Sequence, residues 1–148
     1  MVDAPPLPFL YNKTRKGGCS VKNVVVSMQN TLLAEAVAGA LQKTGEFRVE
    51  QVLPGKTDDT FSLCRAAQPD ILLMEVSRLP AYTLENRLKL IECVRRALPN
   101  CKFVLLCDEN SDSEQARRVM IARQDRLIDA FLYASVTPAY LTAALDAL

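Results

Sequence analysis

Asp108, Asn110 and Asp112 alternate as the first ligands of a calcium-binding loop do. The rest of that loop is missing. Its sixth place holds Ser113 where the sharp turn needs glycine, and its twelfth holds Val119 where a bidentate Glu belongs. The segment from Asp108 to Glu114 therefore reads as a solvated acidic loop leading into a helix cap. Histidine is absent from the chain, which removes Ser–His and Cys–His nucleophilic pairs, histidine metal sites and phosphohistidine carriage together. The five cysteines, at 19, 64, 93, 101 and 107, are odd in number and contain no Cys-x-x-Cys. They signal neither a disulfide framework nor a zinc site. Cys64, Cys93 and Cys107 fall at apolar positions and are expected to be packed thiols. No G-x-G-x-x-G or G-x-x-x-x-G-K-[ST] motif supports nucleotide binding.

The elements that must position the remaining candidates follow from periodicity. Val24 to Ser27 is a short β-branched run. Leu32, Leu33, Ala36, Val37, Ala40 and Leu41 then recur at helical spacing, with Asn30 or Thr31 as cap and Gly45 as stop. Phe47 to Leu53 reads as an edge strand and Asp58 to Ala67 as a short helix. Ile71 to Met74 reads as a buried strand, and Leu84, Leu88, Ile91, Val94 and Leu98 as one face of a helix. Phe103 to Cys107 is another buried strand. Ser111 and Glu114 have capping-box spacing and open a helix to about Leu127. Ala130 to Ala134 is the fifth strand, and Thr137-Pro138 start the last helix.

Five strands alternating with five helices, the strands continuously apolar, predict an α/β fold. It is a doubly wound five-stranded parallel sheet in three α/β/α layers, flavodoxin-like in order 2-1-3-4-5. Length agrees: 148 residues make one domain with a sizeable core. Residues 1–22, with Pro5, Pro6, Pro8, Gly17-Gly18 and several basic residues, read as a flexible arm, either a disordered leader or a docking arm. Residues 23–148 form the domain. A net charge of +1 sets up no strong field toward nucleic acid or membrane. No run of about 18 apolar residues and no signal peptide is present, so a cytoplasmic location is expected. No glycine cap follows the last helix, which leaves room for a C-terminal effector domain in a longer native chain.

In such a sheet the functional crevice lies at the carboxyl ends of the strands. Those ends are Ser27-Met28-Gln29-Asn30, Glu75-Val76-Ser77, Cys107-Asp108-Glu109 and Ala134-Ser135. At this level residues 23–148 resemble the receiver domains of bacterial response regulators. Val24 to Leu41 is similar to their first strand and helix. Pro69-Asp70-Ile71-Leu72-Leu73-Met74-Glu75 is similar to the strand ending at the phosphoacceptor, with Leu79-Pro80 soon after. Asp129-Ala130-Phe131-Leu132 and Thr137-Pro138 are similar to their fifth strand and last helix start.

The resemblance implies a site that binds Mg²⁺ through two acidic residues after strand one and an Asp ending strand three. The Asp takes the phosphoryl group, and a Thr or Ser ending strand four and a Lys ending strand five hold it. The acidic pair falls on Met28 and Gln29, the phosphoacceptor on Glu75, the hydroxyl on Cys107 and the lysine on Ala134. A thioether is a poor Mg²⁺ ligand and a thiol a poor donor; alanine offers no charge. A degenerate receiver, or pseudo-receiver, is therefore expected, with no enzymatic turnover, no cofactor and no metal.

Glu75 has three readings: a polar residue closing a strand, a permanent mimic of phospho-Asp, and a phosphoacceptor. Phe131 falls where many receivers carry a switch aromatic, and otherwise reads as core. Arg117, Arg118, Arg123 and Arg126 give the fourth helix a basic cast, read as a solvated face or as a partner surface. The resemblance places receiver dimerisation on helix four, strand five and helix five. Direct nucleic-acid binding is not expected, since no aromatic platform accompanies the charge. The leading expectation is a regulatory module of a two-component system or phosphorelay, acting by protein contact with a partner or as a homodimer, such as the regulatory half of a transcription factor. The alternatives are a small-ligand sensor in the uncharged crevice of Met28, Gln29, Cys107 and Ala134, and a receiver still switched at Glu75.

Overall fold

The computed structural model describes residues 21–52, 59–107 and 113–148. The elements run β1 (Lys22–Ser27), α1 (Thr31–Lys43), β2 (Phe47–Gln51), α2 (Asp59–Ala67), β3 (Ile71–Glu75), a 3-10 turn (Pro80–Tyr82), α3 (Leu84–Ala97), β4 (Lys102–Cys107), α4 (Ser113–Gln124), β5 (Ala130–Tyr133) and α5 (Pro138–Asp146). The sheet order is β2-β1-β3-β4-β5 and every pairing is parallel. The expected α/β class, strand number and order all hold.

Why the strands are continuous apolar runs is visible in the two cores. Side chains alternate across the sheet, so Val25, Leu72, Met74, Phe103 and Leu105 face α2, α3 and α4. Val24, Val26, Ile71, Leu73, Val104 and Leu106 face α1 and α5. A strand covered on both faces has no polar side to spare.

The helix ends follow local chemistry. Asn30, rather than Thr31, caps α1: its Oδ1 accepts from the Leu33 N–H at 3.0 Å. Thr137 caps α5 through the Tyr140 N–H at 3.1 Å, with Pro138 in the first turn. Gly45 follows α1 with φ +76°, the left-handed conformation glycine adopts without a Cβ clash. Gln68, directly after α2, and Arg126, two residues past α4, are also left-handed, with φ 52° and 63°, at a cost glycine would not bear. At the other end of the sheet Lys22 Nζ donates to the Asp146 carbonyl at 2.7 Å, tying β1 to the end of α5.

Three details differ from the sequence reading. Leu32 and Ala36, counted in the apolar repeat of α1, are exposed, and the buried side is Ala34, Val37, Ala38 and Leu41. Lys22 belongs to β1 rather than to the arm; residues 1–20 lie outside the described residues, as do the acidic segment 108–112 and the Ser111 cap. Cys93 is exposed, while Cys101 is buried with Cys64 and Cys107. The buried stripe of α3 is Leu84, Arg87, Ile91 and Val94, and Cys93 sits about 100° round the helix from Val94.

Candidate functional site

The carboxyl ends of β1, β3, β4 and β5 come together as expected. The registers Ser27↔Met74 and Glu75↔Leu106 set β1, β3 and β4 side by side. Cys107↔Tyr133 and the Ala134 N–H bond to the Cys107 carbonyl at 2.9 Å add β5.

Glu75 closes β3 with its side chain pointing back across β1. Its Oε1 accepts from the backbone N–H of Gln29 at 2.8 Å and of Asn30 at 3.2 Å. These are the last two residues before α1, where backbone N–H groups have no helical partner and an anion is favoured. The carboxylate therefore holds the β1–α1 loop against β3. Met28, between them, is turned into the core and 2 % exposed, and the Gln29 side chain is exposed. Cys107 is buried and Ala134 exposed.

The residue missed by the sequence reading is Arg87. It lies on the buried stripe of α3 and is 3 % exposed. Its guanidinium reaches under the crevice. Nε donates to the Glu75 carbonyl at 2.8 Å, Nη1 to Ser27 Oγ at 3.0 Å and Nη2 to the Ser27 carbonyl at 2.8 Å. The Tyr82 ring lies 4.6 Å from the guanidinium carbon. Ser27 Oγ also shares a hydrogen bond with Thr60 Oγ1 of α2 at 3.1 Å. One side chain thus joins α3 to the ends of β1 and β3, and Ser27 extends the network to α2. Burial pulls the Arg87 pKa down to about 10, and Tyr82 and Glu75 act against that shift. Nothing in the spacing Leu84–Arg87–Ile91 marked it, because an arginine on an amphipathic helix is read as solvent-facing.

The loop after β3 is pinned as well. Ser77 N–H donates to the Tyr82 carbonyl at 2.9 Å, and Gln115 of α4 donates to the Ser77 carbonyl at 3.2 Å. Arg118 pairs with Glu85 of α3 and Arg117 with Glu114. Of the four arginines singled out in the sequence, these two are engaged within the chain, and Arg123 and Arg126 are exposed. Phe131 is half-buried and stands edge-on to Tyr133, with ring centroids 5.7 Å apart.

The donor set can be tested against the Mg²⁺ that receivers use. A hard cation takes several oxygens, carboxylates above all. At the positions where the resemblance puts the acidic pair, Met28 is a thioether turned inward and Gln29 an exposed amide, and one oxygen of Glu75 is already held by two N–H groups. Among the described residues no group of three or more His, Cys, Asp or Glu gathers. These residues do not fit Mg²⁺.

No protein-family model matches the sequence, and no curated protein matches it. Solved structures do. The signal receiver domain of NarL from Mycobacterium tuberculosis superposes with TM-score 0.66 at 22 % identity, over 86 % of this chain and 95 % of that one. The receiver domain of AraT, a response regulator of Geobacillus stearothermophilus, gives 0.67 at 17 %, over 86 % and 92 %. A LuxR-family DNA-binding response regulator of Staphylococcus aureus gives 0.65 at 13 %, over 86 % and 98 %. Five parallel strands in the order 2-1-3-4-5, five helices and these superpositions agree: the chain has the CheY-like receiver fold of the response regulators.

Proposed function

We propose that this chain is a pseudo-receiver: a regulatory signalling module that acts by protein contact and carries out no phosphoryl transfer. The observation that carries the reading is the engagement of Glu75. Its Oε1 is held by the Gln29 and Asn30 N–H groups, so the carboxylate does the work of a fixed internal anion at the start of α1. Met28, Cys107 and Ala134 add to the case, since none supplies a metal ligand or a charged contact to phosphate. Glu75 then acts less as a mimic reaching toward strand-end partners than as a brace between β3 and α1.

The partner surface is the face of α4, β5 and α5; Met120, Ile121 and Arg123 of α4 and Tyr140 of α5 are exposed. Similarity to the receiver of a LuxR-family DNA-binding regulator supports a role as the regulatory half of a transcription factor. The sensor reading is weaker, because Met28 and Cys107 are each 2 % exposed and present little apolar lining to a ligand. No helix among the described residues is long and apolar enough to cross a membrane.

Incubation with Mg²⁺ and acetyl phosphate, or with beryllofluoride, tests the proposal. Intact mass and melting temperature should both stay unchanged. A Mg²⁺-dependent gain of one phosphoryl group, or a rise in melting temperature, overturns it.

A further inference from the structure

The two helical layers differ in charge. The 13 residues of α1 and the 9 of α5 carry three charges between them, Glu35, Lys43 and Asp146, whereas the 14 of α3 and 12 of α4 carry ten. On α1 the buried side is Ala34, Val37, Ala38 and Leu41. The opposite crest is Leu32, Ala36, Gly39 and Lys43, with Glu35 on its flank, and all of these are exposed. Leu32 is 79 % exposed, more than any other large apolar side chain described. Glu35 and Lys43 form no ion pair among the described residues.

Gly39 stands in the middle of that crest. A Cβ there would meet no atom within 4 Å, so nothing inside the chain requires a glycine. A glycine in an exposed helix interior costs about 1 kcal/mol relative to alanine. What it permits is close approach from outside.

The spacing of the charges identifies the visitor. Glu35 and Lys43 lie four residues before and after Gly39, about 6 Å along the axis on either side. If a second α1 crosses antiparallel at Gly39, a two-fold axis passes through the contact. Glu35 of each copy then meets Lys43 of the other, twice, while the glycines let the backbones close. A surface that is charge-complementary to itself under a two-fold rotation is the requirement of a symmetric dimer. We infer that a second copy of this chain docks on the α1 crest, antiparallel about Gly39. Self-association thus lies on α1, leaving the α4–β5–α5 face to another protein. This inference stands independently of the chemistry at Glu75.

Sedimentation velocity on the full chain over a concentration series tests it, read alongside melting temperature. The expected species is a dimer of the 16.4 kDa chain. Glu35→Lys and Lys43→Glu should each weaken it by about tenfold or more, because each turns two attractions into repulsions. The double swap, Glu35→Lys with Lys43→Glu, should restore it. Gly39→Gln should abolish the dimer while leaving the melting temperature equal or higher, since glutamine is the better helix former. A monomer at every concentration overturns the inference. So does a double swap that fails to restore, or a dimer lost on Met120→Asp and indifferent to Glu35→Lys.

Discussion

Arg87 donates from two nitrogens to the two oxygens of Ser27, 60 residues away in sequence: Nη1 to Oγ at 3.0 Å and Nη2 to the carbonyl at 2.8 Å. A buried cation is costly unless every donor is used well. Here the fork matches acceptors that β1 and β3 leave at their ends. Arg87→Ala removes three hydrogen bonds, taking this donor from the Ser27 and Glu75 carbonyls and leaving the Ser27 hydroxyl to Thr60 alone. Relief of the buried charge offsets part of that loss, so a fall of about 2–4 kcal/mol is expected. Arg87→Lys keeps the charge without the fork and should be intermediate. Urea unfolding measures both; equal stability for all three proteins would show that the network contributes nothing.

Glu75→Asp puts back the residue that the receiver resemblance places at the phosphoacceptor position. It should gain no phosphorylation from acetyl phosphate and Mg²⁺, because Met28 and Gln29 still supply no carboxylates. Its shorter stem should also release the Gln29 and Asn30 N–H groups and cost about 1 kcal/mol. Intact mass and thermal unfolding read the two effects separately.

Arg126 ends α4 in the left-handed region with φ 63°. The Leu127 N–H bonds to the Ala122 carbonyl at 3.0 Å and the Arg126 N–H to the Arg123 carbonyl at 3.1 Å, the paired bonds of a Schellman ending. Arg126→Gly should stabilise the chain by about 0.5–1 kcal/mol, the left-handed strain relieved less the entropy glycine adds to the unfolded chain. A lower melting temperature for this variant would contradict the account.

Burial pushes the Cys64 and Cys101 thiols up to about 12 from 9.0. A folded pKa raised above the unfolded one means stability that is complete below pH 9.0 and is lost as pH rises toward 12. The slope is at most about 1.4 kcal/mol per pH unit for each thiol. Arg87, pulled down from 12.5 to about 10, works in the opposite sense above pH 10. Arg87 therefore does not oppose the thiols between about pH 9 and 10. Cys64→Ala should flatten the fall in stability over that window, whatever it costs at neutral pH.

Much of the fold was legible because period is a local property. Ile71 to Met74 and Phe103 to Cys107 are apolar without alternation, and only a strand covered on both faces needs that. Asn30, Gly45 and Thr137 mark helix ends within a few residues of the groups they serve. The positions Met28, Glu75, Cys107 and Ala134 could be placed at one end of the sheet because parallel strands put all their carboxyl ends there. Cys93 misled for the same local reason: it neighbours Val94 in sequence, yet it points elsewhere on the helix.

From the order of residues alone came the α/β alternation and the sheet order, and from the receiver resemblance the expectation that Met28 and Gln29 stand where an acidic pair would. Each depends on residue type and spacing along the chain. Tertiary structure alone decided that Arg87 is buried, that Glu75 spends its carboxylate on the start of α1, and that Gly39 and Leu32 stand in the open. The reason is physical. A backbone carbonyl or N–H at a strand end is the same in every sequence, so which side chain satisfies it depends on where the chain brings that group in space.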